Sequence, residues 1–519
     1  MIALIPKWKN SEKNYNFDSI VNVARMYNEA FPEDCEIIIA MPILDLRHFL
    51  HEYGLYGLKI WSVYDSIQNI QIKDGNPISF KDLVWPENAE VIYQPRKILI
   101  NLNDQIFANV LISKYGFVNK VVYFENSNKV KTYYYDDRGF LSRKEFISNQ
   151  NIKKQYFDEY GHLIFQEKNG VISIQSEFIR LFKQSIYTNI EDLIFEKYEE
   201  HLTNHFKKND RVIIDICSQN IKFVNSKLNK ATCLFSDNEA VDCFVHDFDN
   251  IESKIFKNEV LLEKFNREFS VENTRSGAQN YVITPYKTEI LLGISSEMEN
   301  NIIYLYAHES VHPKLVTVVE QCISYIDKYP KTEFYVNTAN KFISTKLFAD
   351  LKVLIGRKFS VDMESSSFKI VQGYVDAKRK ESLSLLQENQ KKKLEKEGVW
   401  EKIELAVRLL EKFRIFSNEN KFKFNADFNL SRLYVDLGNV PNQYLQTLSI
   451  SYGIPQIVKR KSQFIVESKN GLILDHNFSK QISYFLENLS NWNISLVQNV
   501  ALINKFSQDK LIKLWRGDF

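Results

Sequence analysis

Two histidines, His308 and His312, bracket Glu309-Ser310-Val311 and complete the string His-Glu-x-x-His. On an unbroken helix this spacing sets both imidazoles on one face to hold zinc, with the glutamate activating a metal-bound water. Here an apolar strand pattern (302–306, IIYLY) runs directly into the string, and Pro313 follows it. Proline belongs in the first turn of a helix. The string is therefore expected in a strand-to-helix loop, with Ser310 or His312 near the N-cap and no metal bound. His201 and His205 repeat the spacing on an expected helix, without the glutamate or a nearby cysteine, and read as a solvated helix face. No Ser-His-Asp or Cys-His set assembles from local spacing.

Phosphate chemistry is excluded in its common forms. The 519 residues include only 16 glycines and 11 prolines, and the closest glycines are Gly54 and Gly57. No Gly-x-Gly-x-x-Gly, P-loop or Gly-x-Ser-x-Gly elbow exists, so most Rossmann dehydrogenases, NTPases and α/β-hydrolases drop out, and no cofactor is expected. Lysine plus arginine number 67 against 65 acidic residues, a net charge of +2. A dedicated nucleic-acid binder carries a visible basic excess. Five cysteines without Cys-x-x-Cys spacing read as reduced, mostly buried thiols of a cytosolic protein. The opening MIALIP reads as a first strand rather than a signal peptide, and no run reaches the ~18 apolar residues of a membrane span.

The elements that must position any site fall into three textures. Residues 2–6 and 36–42 are continuous apolar strand patterns, separated by helical patterns at 18–31 and 45–55, as in a parallel sheet covered on both faces. From about 89 the chain becomes strand after strand. Turns at Tyr115-Gly116, Asp137-Arg138-Gly139 and Glu159-Tyr160-Gly161 recur at near-constant spacing, and aromatics such as Tyr133–Tyr135, Tyr156, Phe157 and Phe165 suit a half-buried pleated surface. This predicts an antiparallel β-meander inserted over 89–175, a kind of sheet used more for docking than for catalysis. Helical periodicity returns at 176–208, and strands at 211–216 and 231–235 complete the first domain. The expected domains are 1–88 with 176–285, the insertion at 89–175, and 286–519 with a charged helical segment at 376–416. Lys378, Arg379, Lys380 and Lys391–Lys393 in that segment read as a solvated face.

Residues 431–475 combine a strand, the segment LGNVPNQYLQTLSISYGIPQIV, and an expected hairpin at 464–475 (FIVESKNGLILD). Gly453-Ile454-Pro455-Gln456-Ile457 and Asn470-Gly471-Leu472-Ile473-Leu474-Asp475 resemble the nucleotide-sugar half of two-Rossmann (GT-B) glycosyltransferases. That resemblance implies an α/β GT-B-like fold with two Rossmann-type domains facing a cleft. It also implies donor phosphates held at helix N-termini beyond the strand ends. Retaining members carry two glutamates separated by seven residues just before this point. Those slots fall on Val440 and Leu448, and the basic pair that neutralises the donor diphosphate has no evident match.

Pro6-Lys7-Trp8, LRHFLHEYGLYGLKIWSVYDSIQNI (46–70), FKDLVWP (80–86) and YYYDDRGFLS (133–142) resemble the first component of the accessory secretory (Asp) protein family of Gram-positive bacteria. Residues 46–86 and 133–142 are the most specific parts. The resemblance implies a non-catalytic, glycosyltransferase-like accessory secretion protein at work in the cytosol, peripheral to the translocon. Its implied partners are the second and third Asp proteins, the accessory SecA ATPase and a glycosylated serine-rich repeat adhesin.

Sugar recognition without turnover needs aromatic stacking and amide or hydroxyl hydrogen bonds. Trp8, Asn439, Asn442 and Tyr444 are the expected glycan-contacting residues. The rival readings are an active GT-B glycosyltransferase and a chaperone subunit of an adhesin O-glycosyltransferase.

Overall fold

A computed structural model of the chain describes residues 1–9, 11–148, 151–226, 231–244, 251–269, 278–308, 312–418 and 420–518. The chain divides into two compact units, Met1–Pro285 with Ile512–Phe519, and Tyr286–Leu511.

Unit one contains two sheets. The first is parallel and seven-stranded, in the spatial order Gln279–Val282, Ile251–Phe256, Ala231–Phe235, Arg211–Asp215, Ile2–Ile5, Cys35–Ile39, Lys59–Ser62. Its central strands IALI and RVIID are buried at every position, as expected where helices cover both faces. The helix Ser19–Ala30 starts where Asp18 accepts the Val21 amide at 2.9 Å, and it buries Ile20, Val23, Ala24 and Tyr27 at helical spacing.

The second sheet is antiparallel, with ten strands in sequence order from Glu90–Gln94 to Ile186–Tyr187. The turn glycines Gly116, Gly139 and Gly161 have φ of 94°, 93° and 86°, a region that L side chains avoid. The sheet runs past the expected end at 175. Ser176–Leu181 forms a short 3-10 segment and Ile186–Tyr187 pairs as the tenth strand. The helix expected from 176 begins at Ile190, where Asn189 accepts the Asp192 amide at 2.8 Å.

One turn pins the two sheets of unit one together. Arg138 lies buried in the turn between strands Asn128–Tyr135 and Leu141–Ser148. It donates to Asp136 at 2.7 and 2.9 Å, to Asp65 at 2.9 and 2.8 Å, and to the Ile72 carbonyl at 3.0 Å. Its neighbour Asp137 accepts the amides of Arg47 (2.7 Å) and His48 (3.2 Å). These are early amides of the helix Leu46–Glu52, whose own N-cap residue Asp45 makes no side-chain cap. Asp45 instead accepts the Ser11 hydroxyl at 2.5 Å.

Unit two is built on a six-stranded parallel sheet, ordered Phe413–Phe416, Thr332–Thr338, Asn301–Ala307, Ser431–Asp436, Gln456–Val458, Gly471–Ile473. The expected hairpin over 464–475 does not form, because Gly471–Ile473 pairs parallel with Gln456–Val458. The Asn470 side chain decides this. It accepts the Val466 amide at 2.8 Å and donates to the Phe464 carbonyl at 2.9 Å, closing a loop where the hairpin would turn back. The charged segment is three helices, Ser366–Arg379, Leu385–Lys396 and Trp400–Glu411, whose buried residues include Val371, Tyr374, Trp400, Ile403 and Val407. Lys378, Arg379, Lys380, Lys392 and Lys393 are exposed, while Lys391 sits over the Tyr374 ring at 5.3 Å. From Ile512 the chain belongs to unit one, where buried Trp515 donates its indole N–H to the Thr284 carbonyl at 3.2 Å.

Candidate functional site

In unit two the central strand Ser431–Asp436 ends on an aspartate that is almost fully buried. The Asp436 carboxylate accepts the Gly438 amide at 2.9 Å, the Asn442 amide at 2.9 Å and the Tyr434 hydroxyl at 3.1 Å. Burial, then the neighbouring charge of Asp436, raise the Tyr434 phenol well above its usual range and keep it a donor. Gly438 is required here, since a Cβ would lie 2.8 Å from the Val440 carbonyl and 3.1 Å from the Asp436 carboxylate. Asn442 then caps the helix Gln443–Ser451 by accepting the Leu445 amide at 3.1 Å. Every residue of that helix is buried. A phosphate-binding strand-to-helix loop turns its free amides toward the ligand. In this loop the Gly438, Asn442 and Leu445 amides turn inward onto the chain's own side chains.

The loop and helix hold three of the four expected glycan residues. Asn439 is exposed at the loop tip, and Asn442 serves as the cap. Tyr444 is 9% exposed, with its ring 5.6 Å from that of Tyr286 and its hydroxyl 3.4 Å from Asn425 Oδ1. Val440 is 38% exposed, and Leu448 is 7% exposed within the helix.

Trp8 lies in unit one and is 1% exposed. Its ring packs on Phe49 at 4.9 Å and Tyr15 at 6.1 Å, and its N–H donates to Asp18 at 3.2 Å. No face of the indole is left for a sugar, which corrects the expectation for this residue.

The histidine strings resolve into separate contacts. His308 follows strand Asn301–Ala307 and stacks on Tyr306 at 4.3 Å, with Nε2 3.3 Å from Asn337 Oδ1. His312 opens the helix His312–Lys328, and its Nε2 stands 2.8 Å from Asp350. Glu309, Ser310 and Val311 lie outside the described residues, and so does the expectation for Ser310 at the N-cap. His201 is buried, not solvated as expected. It stacks on Trp61 at 4.0 Å, with Nε2 3.0 Å from Glu36.

Sequence reasoning missed a charged cluster at the end of the strand Arg211–Asp215. Asp215 is fully buried, accepts the Ser236 hydroxyl at 2.6 Å and lies 3.7 Å from Lys7. Burial pushes its carboxyl up to about 7, against the pull of the Lys7 charge. The signal was an acidic residue closing an apolar strand, which RVIID and RLYVD share.

The family model for the first of the Asp proteins of the accessory Sec system matches residues 3–518. The chain belongs to this family. A curated relative of the same description, from Streptococcus gordonii, is 24% identical over 531 residues, covering 99% of this chain and 94% of the relative. Among solved structures, the chain is similar to one in the crystal structure of accessory secretory protein 1, 2 and 3 of Streptococcus pneumoniae. There the TM-score is 0.69 and the identity 22%, over 99% of this chain and 98% of that one. It is similar also to the pneumococcal O-GlcNAc transferase GtfA, crystallised with UDP and GlcNAc, with a TM-score of 0.65 and 11% identity over 99% and 97%. The fold of this accessory Sec family member is therefore GT-B: two parallel α/β sheets, with an antiparallel sheet inserted in the first unit. Among the described residues, no helix is long and apolar enough to cross a membrane.

Proposed function

We propose that the chain is a non-catalytic, GT-B-type scaffold and cargo adaptor in the export of glycosylated serine-rich repeat adhesins. In this reading it works in the cytoplasm, at most peripherally at the translocon. It acts beside the second and third Asp proteins and the accessory SecA ATPase. Family membership over residues 3–518 and the likeness to a chain crystallised with accessory secretory proteins 2 and 3 support the setting.

The loop after Asp436 carries the non-catalytic part. The two slots that hold glutamates in retaining transferases hold Val440 and Leu448, neither able to bind a ribose hydroxyl or stabilise charge at an anomeric carbon. The amides around them are bonded to Asp436 and Asn442. A donor nucleotide would have to displace those internal bonds and would find no carboxylate at either position. Exposed Asn439 remains the best-placed of the expected glycan contacts, with Asn442 and Tyr444 behind it.

The likeness to a transferase crystallised with UDP and GlcNAc makes an active enzyme the reading to exclude. The test is incubation of the purified chain with UDP-N-acetylglucosamine and UDP-glucose, followed by assay of free UDP. The adaptor reading expects release at the level of buffer alone. Release proportional to protein concentration overturns it. A pull-down separates the remaining rival, because an adaptor retains the second and third Asp proteins, whereas a chaperone subunit retains the catalytic transferase.

A further inference from the structure

The antiparallel sheet holds a row of side chains that the glycan reading does not use. Its register opposes Leu111 to Lys120, Lys120 to Tyr134, Tyr134 to Arg143, and Arg143 to Tyr156. Directly opposed residues of antiparallel strands project from the same face. The five therefore form one row, and that face walls a cavity of about 620 Å³ within unit one. The opposite wall comes from Ser11 and from Pro42–Asp45, in the loops that leave the strands Ile2–Ile5 and Cys35–Ile39 at their carboxyl ends. Ligand sites in open α/β sheets lie at those strand ends, and small-molecule pockets span roughly 300–1,000 Å³.

The row is short of negative charge. The Arg143 guanidinium lies 4.0 Å over the Tyr134 ring and meets Glu145 through one terminal nitrogen at 3.2 Å, while its Nε is buried with no hydrogen-bond partner. The Lys120 ammonium lies 5.3 Å from the same ring and makes no ion pair among the described residues. Glu145 also accepts the Tyr134 hydroxyl, at 2.7 Å. The one carboxylate paired in this row, Glu145, is thus already bonded to Arg143 and Tyr134, and Lys120 has none among the described residues. The carboxylates of the facing wall are engaged elsewhere, Asp45 by the Ser11 hydroxyl and Glu12 by Arg96. A buried donor without an acceptor costs free energy that an incoming oxyanion would recover.

We propose that this cavity binds a small ligand bearing an oxyanion on a hydroxylated body, such as a sugar phosphate or a uronic acid, with Arg143 and Lys120 as the donors to the oxyanion. The inference stands apart from the adaptor reading and does not depend on it.

The test is calorimetric titration of the full chain with glucose 6-phosphate, glucuronate and glucose, repeated on Lys120→Gln. The expected result is saturable binding of at least one of the two anions and none of glucose at equal concentration. Binding of the phosphate alone, or of the carboxylate alone, assigns the oxyanion. Lys120→Gln removes a charge-assisted contact and should weaken the bound anion about tenfold. Arg143→Lys, which keeps the charge and removes the Nε donor, should weaken it likewise. Lys120 is half-buried on the cavity wall, so its variant remains decisive even where Arg143→Lys fails to fold. Equal affinity for glucose, no binding of either anion, or unchanged affinity in Lys120→Gln overturns the proposal.

Discussion

Arg138 grips Asp65 through both terminal nitrogens, at 2.9 and 2.8 Å, from the far side of 73 residues of sequence. The same guanidinium holds Asp136, and the next carboxylate along the turn, Asp137, caps the helix that carries Arg47. The inserted sheet is thereby fixed to the parallel sheet of unit one by charge-assisted bonds in a nearly dry place, where bidentate arginine–carboxylate geometry is strongest.

Removing the guanidinium should leave Asp65 with Arg47 alone, at 2.8 Å, and Asp136 with Arg47 only at 3.8 Å. Breaking a buried ion pair costs about 3–5 kcal/mol. Arg138→Met is expected to lower the unfolding free energy by that amount in a denaturant titration. Asp137→Ala removes the cap together with the contact to the His48 ring at 3.2 Å, and the loss of the cap alone should cost about 1–2 kcal/mol.

The glycines of this contact should rank by what surrounds them. A Cβ on Gly139 would meet the Asn76 carbonyl at 2.1 Å, and one on Gly75 would meet the Arg138 carbonyl at 2.2 Å. Gly161 has a similar φ to Gly139 and open space around it. Gly161→Ala should cost about 1 kcal/mol from backbone strain alone. Gly139→Ala should cost clearly more, because backbone must move as well. Thermal melts of the two variants check the order.

The two positions that the transferase resemblance aligns with glutamates should respond unequally to an introduced glutamate. Leu448 is packed inside its helix, so Leu448→Glu should cost about 3 kcal/mol or more by burying a charge. Val440→Glu, at an exposed loop position, should stay within about 0.5 kcal/mol. In unit one, Trp8→Ala should lose about 3–5 kcal/mol as a core truncation. It should leave any glycan affinity of the folded protein unchanged. Urea titrations of the three variants check the ranking.

Asp215 should leave a mark on the pH dependence of stability. Its folded value, about 7, lies above the ordinary 3.8, so between about pH 4 and 7 the folded state holds a proton that the unfolded state has lost. Stability from this group is complete below that window and falls as pH rises through it. Asp215→Asn should flatten the fall relative to the unsubstituted chain. Equal slopes in urea titrations from pH 4.5 to 7.5 would contradict the assignment.

Much of the fold was legible because buried parallel strands read as short apolar runs and the meander marks its turns with glycine. What escaped was decided by residues distant in sequence or by single side chains. The segments 46–86 and 133–142 are each recognisable, yet nothing along the chain says that Arg138 meets Asp65 or that Asp137 caps the helix at Arg47. His201 reads as solvated until Trp61 and Glu36 are brought against it. FIRLFKQSI has helical periodicity, but Asn189 starts the helix later. The hairpin at 464–475 was lost to the two hydrogen bonds of Asn470. At the candidate site, Val440 and Leu448 were reached by counting back from Gly453 within the resemblance to retaining transferases. The inward turn of the loop amides onto Asp436 was not, because strand-end carboxylates look alike whether they face solvent or their own loop.

The central claim is that the transferase-like fold has lost its nucleotide-sugar site while serving a glycosylated cargo. The most direct test is calorimetric titration of the purified chain with UDP-sugars and, separately, with a glycosylated serine-rich fragment. The account predicts saturable heat with the glycopeptide and none with the UDP-sugars. Micromolar binding of a UDP-sugar, with the glycopeptide silent, would contradict it.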